Sequence, residues 1–168
     1  MAEIDVLVED ARWDRLGIED LARRAVDAAL VAAGLDPSRF SVSVLACDDA
    51  RIAELNATFR GKEGPTNVLS WPSAPREAAE DGEMPALPAP SEGEVEELGD
   101  IAIAWETAVR EAQEAGKPPA DHVTHLLVHG CLHLLGFDHI RDKDAALMEA
   151  IEVRALAALG IANPYEEE

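Results

Sequence analysis

The stretch LGDIAIAW, residues 98–105, is the last part of this chain that reads as a strand, and the chain beyond it reads as helix. Three helical segments are expected downstream, over about 105–115, 119–135 and 142–159. Pro118 and Pro119 stand between the first two, where proline suits a helix start. Upstream, EIDVLV (3–8) alternates polar and apolar residues as a half-buried strand does. A helical stretch from about Arg15 to Ala33 then carries Leu21, Ala25, Ala28 and Ala32 at helical spacing, and Gly34 is placed to stop it. SVSVLA (41–46) alternates again. Asp48 or Asp49 can cap the helix ARIAELNATF, because an Asx side chain accepts the unpaired amide hydrogens of a first turn. TNVLSWP (66–72) is a short strand that ends where Pro72 cannot donate a ladder hydrogen bond. Four strands in the first two-thirds and helices in the last third predict an α+β layer fold.

Residues 73–97 break this pattern. Pro75, Pro85, Pro88 and Pro90 lie there among alanines and acids, a composition that cannot offset the entropy of ordering. A mobile acidic loop at about 73–97 is expected within a single domain spanning 1–168. At 168 residues and 18.0 kDa, the chain can bury a core without disulfides, so a metal would serve chemistry before stability. Aromatics are 4% of residues, which makes the core aliphatic. Cys47 and Cys131 lie far apart in apolar runs and are expected as buried free thiols. No stretch of about 18 uncharged apolar residues exists, and the start lacks the basic-then-apolar order of a signal peptide. A cytoplasmic protein without membrane contact is expected.

The net charge of −20 repels nucleic acid and membrane surfaces at long range. The excess is uneven. Glu77, Glu80, Asp81, Glu83, Glu92, Glu94, Glu96, Glu97 and Asp100 fall in one segment that holds no Lys or Arg.

All five histidines lie in HVTHLLVHGCLHLLGFDHIRD, residues 122–142. On a helix, His129 and His133 sit one turn apart on one face, so their imidazoles can converge on one ion at about 2.0–2.1 Å. Gly136 can take the left-handed conformation that ends the helix and lets the chain turn back to deliver His139. A structural zinc site would close with a fourth protein ligand, usually Cys, and Cys131 lies off the His129–His133 face. Three nitrogens and an open position imply catalysis. For one histidine on an apolar helix a satisfied core residue would be the better reading; three at this spacing outweigh it.

The spacing matches the metal helix of metzincin proteases with one departure, Gly130 where those enzymes place a Glu. That Glu takes the proton from the attacking water, so its absence argues against proteolysis. His125, one turn before His129, is placed to support a ligand or to touch substrate. His122 stands further back, near the helix start. Asp138 can orient a histidine through its ring N–H or face solvent, and the sequence favours neither.

The run from His125 to His139 resembles HGxLHLxGyDH of the YbeY family of bacterial rRNA-maturation endoribonucleases, with Phe137 for the usual Tyr. LNATFR (55–60), GPTNVLSWP (64–72) and LGDIAIA (98–104) are similar in order to that family's other blocks, and the helix with Met148 and Glu149 resembles its ending Me-x-x-E. The resemblance covers about residues 40–160. It implies a small mixed sheet packed with helices, and one Zn2+ per chain held by His129, His133 and His139. It also implies single-strand-specific cleavage of RNA, notably at the 3′ end of small-subunit rRNA, with a role in ribosome quality control. The family's functional arginine falls on Arg60, whose planar fork suits a phosphodiester. Single-stranded RNA and rRNA are the expected partners, with the ribosome or ribosomal proteins, and no DNA is expected. Asn67 departs from the commoner Asp.

A local basic groove from Arg51, Arg60, Lys62, Arg141 and Lys143 would answer the charge objection, since screening at ~0.15 M salt acts over about 8 Å. His125 and Asp138 are candidates to shuttle protons. Two rivals stand beside this reading: a zinc hydrolase of a small ester, amide or phosphate, and a ribosome-assembly factor with a structural metal.

Overall fold

A computed structural model describes residues 1–165. Its order is β1 (Glu3–Val8), α1 (Ile18–Ala32), β2 (Phe40–Cys47), α2 (Asp49–Arg60), β3 (Val68–Pro72), β4 (Glu96–Ala104), α3 (Trp105–Glu114), α4 (Pro119–Leu134) and α5 (Asp142–Ala158). The α+β reading holds, with mixed pairing. The sheet order is β1-β2-β4-β3; β1 and β4 run parallel to β2, and β3 lies antiparallel to β4 at an edge. Pro72 therefore sits on an edge strand, where a missing N–H is tolerated.

Local chemistry sets the element ends. Asp48, rather than Asp49, caps α2 by accepting the Arg51 N–H at 2.8 Å. Residues 11–16, expected in part as the start of the first helix, form a separate 3-10 turn, because Gly17 at φ +64° breaks the chain before Ile18. Its Trp13 is fully buried and donates its indole N–H to the Cys47 carbonyl at 2.8 Å. Gly34 does end α1, with the Leu35 N–H returning to Leu30 O. β4 starts at Glu96, inside the segment expected as loop.

Alternation along the strands divides the core. Val42, Val44 and Ala46 of β2, with Ile101 and Ile103 of β4, face α1, α4 and α5. Cys47, Leu69, Ala102 and Ala104 pack on the other side against Ile52 of α2. The register slips between Ser41–Glu97 and Ser43–Asp100, a bulge in which Leu98 and Gly99 of β4 stand opposite Val42 of β2. A Cβ at Gly99 would stand 2.1 Å from the Trp71 carbonyl oxygen, so only glycine lets β3 approach there. Both cysteines are buried and unbridged, and burial pushes each thiol up to about 12, which makes them inert at neutral pH.

Helix α4 is what this core positions. Val123, Leu127, Cys131 and Leu134 are fully buried on one side of it, and losing one such leucine side chain costs roughly 2–5 kcal/mol. The opposite stripe of α4 carries four of the five histidines.

Candidate metal centre

His129 and His133 occupy successive turns of α4, and their Nε2 atoms lie 3.1 Å apart. Two nitrogens at about 2.0–2.1 Å from a tetrahedral ion are separated by about 3.3 Å, so this pair already has zinc spacing. After α4, Gly136 adopts φ +102° and the chain reverses to bring His139 back. The His139 ring centroid is 5.1 Å from that of His129 and 5.0 Å from that of His133. One ligand atom from each of the three lies within 4.8 Å of the others, and no Cys joins them. The donor set fits a three-nitrogen zinc site with room for a fourth ligand. Burial first, then the neighbouring His129 and His139, lower the His133 pKa to about 4, so it stands neutral at pH 7 with a lone pair to give.

The support behind these ligands was not identified from the sequence. Glu152 of α5 is fully buried. One carboxylate oxygen meets His129 Nδ1, and the other lies 3.3 Å from His125 Nε2 and accepts the Tyr165 hydroxyl. Burial alone would raise this carboxyl, but the hydrogen bonds from His125 and His129 outweigh it and hold it at about 2. A carboxylate on Nδ1 fixes the tautomer that leaves Nε2 facing His133. His125 thus touches the acid that holds a ligand, and it also lines the cleft. Glu152 does leave a sequence signal: it stands among Met148, Ile151, Ala155 and Leu156 on the buried side of α5, where an acid needs a partner.

Asp138 lies elsewhere in this scheme. Its Oδ1 accepts the His139 backbone N–H at 2.7 Å and stays 3.9 Å from the ring nitrogen, so it shapes the turn rather than gripping the imidazole. His122 Nε2 donates to Glu111 at 2.9 Å, and Asn67 Nδ2 donates to the same carboxylate at 3.0 Å. Asn67 Oδ1 meanwhile accepts the Val68 N–H at 2.7 Å. An Asp at 67 would set two carboxylates face to face; Asn replaces that repulsion with a hydrogen bond.

The three ligand candidates open onto a cleft of about 1080 Å³, walled by α4, β3 and the end of α2. Arg60, the last residue of α2, lies in that wall and donates to the Ser70 carbonyl at 3.0 Å. Lys62 lines it as well. The rest of the expected basic groove does not assemble there. Arg51 pairs with Glu9 and Glu54 beside a separate groove lined by Leu45, Phe59 and Trp71. Arg141 is held by Asp144 and by the carbonyls of Ala78 and Ala79, and Lys143 does not line the cleft.

Comparison with known proteins fits this geometry to a family. The model for endoribonuclease YbeY matches residues 3–160. This chain belongs to the endoribonuclease YbeY family. A curated relative named endoribonuclease YbeY, from Dinoroseobacter shibae, is 61% identical over 165 residues, covering 98% of this chain and 91% of the relative. A relative of the same name from Ruegeria pomeroyi is 56% identical, covering 98% and 99%. The solution structure of TM1509 from Thermotoga maritima aligns with a TM-score of 0.54 at 18% identity, over 98% of this chain and 99% of that one, and supports the fold.

Proposed function

We propose that this chain is a zinc-dependent endoribonuclease that cuts single-stranded RNA. Its place is the maturation of the 3′ end of small-subunit rRNA and ribosome quality control, in the cytoplasm, with the ribosome or its proteins as partners. The observation that carries the reading is the convergence of His129, His133 and His139 at the floor of a cleft that also presents Arg60. The family supplies RNA as the substrate class. Gly130, where a metzincin places its glutamate, removes the peptidase alternative. We further take residues 1–168 as one hydrolase domain in which the acidic segment at about 73–97 is mobile between its anchors, which are Arg76, the Ala78 and Ala79 carbonyls and the start of β4. Among the described residues no helix is long and apolar enough to cross a membrane.

Zinc held by the three imidazoles would supply Lewis acidity toward a phosphoryl oxygen and would lower the pKa of a bound water toward about 7. The chain's own groups do the rest. Arg60 binds the phosphodiester through its guanidinium fork and offsets the charge that develops there, with Lys62 beside it. Glu152 keeps His129 in register. His125 rests one ring nitrogen on Glu152, which leaves the other for a substrate proton.

Metal-loaded protein, chelator-stripped protein and the His133→Ala variant should be incubated with single- and double-stranded RNA of one sequence. Only the loaded protein should cut, and only the single strand, with His133→Ala losing at least about 100-fold. Equal cutting by stripped protein would reject the proposal. Binding of RNA without cleavage would favour an assembly factor whose metal is structural.

A further inference from the structure

Tyr165 lies near the chain's C-terminal end, after α5 has finished, yet it reaches the metal centre. Gly160 at φ +76° turns the chain out of the helix, and the Ile161 N–H bonds back to Leu156 O at 2.9 Å. Asn163 then accepts the Tyr165 N–H through its side chain at 2.8 Å, fixing a local turn. The phenol is delivered to two groups. Its hydroxyl donates to Glu152 Oε2 and stands 3.4 Å from His125 Nε2, and its ring meets His125 edge-on with centroids 5.7 Å apart.

Resting on the metal reading above, we infer that Tyr165 is a positioning residue of this centre: its hydroxyl locks the Glu152 carboxylate that holds His129 toward the ion. A fully buried carboxylate is stable only when its lone pairs are occupied. Glu152 has three donors to draw on, one on Oε1 and two on Oε2. The His125 contact on Oε2 is long at 3.3 Å, so the phenol is the stronger tether on that oxygen. Without it, Oε2 swings toward His125 and Oε1 loses its aim at His129 Nδ1. The imidazole that must face His133 across 3.1 Å then gains rotational freedom. The C-terminal tail would thus set the affinity of a site made by residues far from it in sequence.

The test uses the full chain as Tyr165→Phe and Tyr165→Leu. Zinc affinity is read by competition with a chromogenic chelator, and kcat and KM are read on a single-stranded RNA at fixed free zinc. Tyr165→Phe keeps the ring and removes only the hydroxyl. Zinc affinity should fall about 10- to 100-fold, the usual effect of a lost partner behind a ligand. At limiting zinc kcat should drop with KM unchanged, and excess zinc should recover most of it. Unchanged zinc affinity in Tyr165→Phe would overturn the inference. Were Tyr165→Leu then to raise KM alone, Tyr165 would be a base-stacking platform; were neither constant to move, it would be an inert tail. Wild-type protein that binds no zinc would remove the metal reading itself, a failure separate from the others.

Discussion

His133 and Glu152 have opposite charge types, yet folding moves both pKa values downward. Burial and two neighbouring imidazoles disfavour the imidazolium of His133, taking it from 6.5 to about 4. Hydrogen bonds from His125 and His129 overcome burial at Glu152 and take it from 4.5 to about 2. A group whose folded pKa lies below its unfolded pKa binds more protons when unfolded, so acid favours unfolding. The His133 contribution is complete above pH 6.5 and is lost as pH falls toward 4, on the order of 3 kcal/mol for that interval. The Glu152 contribution is lost lower down, between about 4.5 and 2. Urea denaturation of metal-free protein should therefore show stability falling between pH 6.5 and pH 4, and His133→Gln should flatten that limb. A limb unchanged in the variant would assign the acid sensitivity to other groups.

At the level of elements, the turn that carries His139 interlocks with the start of the acidic segment. Arg76 is buried, and its Nη1 donates to Leu134 O at 2.9 Å, one of the last carbonyls of α4. Its Nη2 reaches Ser73 Oγ at 3.1 Å and Glu96 at 3.0 Å. A Cβ at Gly136 would stand 2.4 Å from the Arg76 carbonyl oxygen, so the turn passes directly beneath this backbone. Arg76→Met should cost about 2 kcal/mol, discounted because Glu96 remains partly solvated. It should also speed hydrogen exchange in residues 134–139 while leaving β1 and α1 protected. Slow exchange in 134–139 of that variant would show that Gly136 alone holds the turn. The sequence revealed α4, its histidine face and its glycine stop, because periodicity and spacing are local signals. It concealed Arg76, whose partner lies 58 residues away, and one arginine among prolines and acids reads as solvated. The strand order β1-β2-β4-β3 and the Asn67–Glu111–His122 chain were hidden for the same reason: each depends on pairing across distance.

Across the whole molecule, the charge of −20 has to coexist with a polyanionic substrate. The sequence suggested five cations for a groove; the fold leaves Arg60 and Lys62 as the cations that line the cleft among the described residues, with Glu77, Glu111, Glu114 and Asp138 in the same walls. Counterion release then sets a measurable limit. With two phosphate contacts on a single strand, log affinity should fall against log salt with a slope of about −1.4. Lys62→Ala should reduce that slope by about 0.7, because one phosphate contact is removed. Neutralising wall acids by Glu77→Gln and Glu114→Gln should speed RNA association at low salt and do little near ~0.5 M, where charges act over only a few ångströms. Binding measured across a salt series with a catalytically silent His133→Ala protein separates these effects from cleavage. A slope steeper than about −3 would require phosphate contacts outside this cleft and would move the RNA path onto another face of the protein.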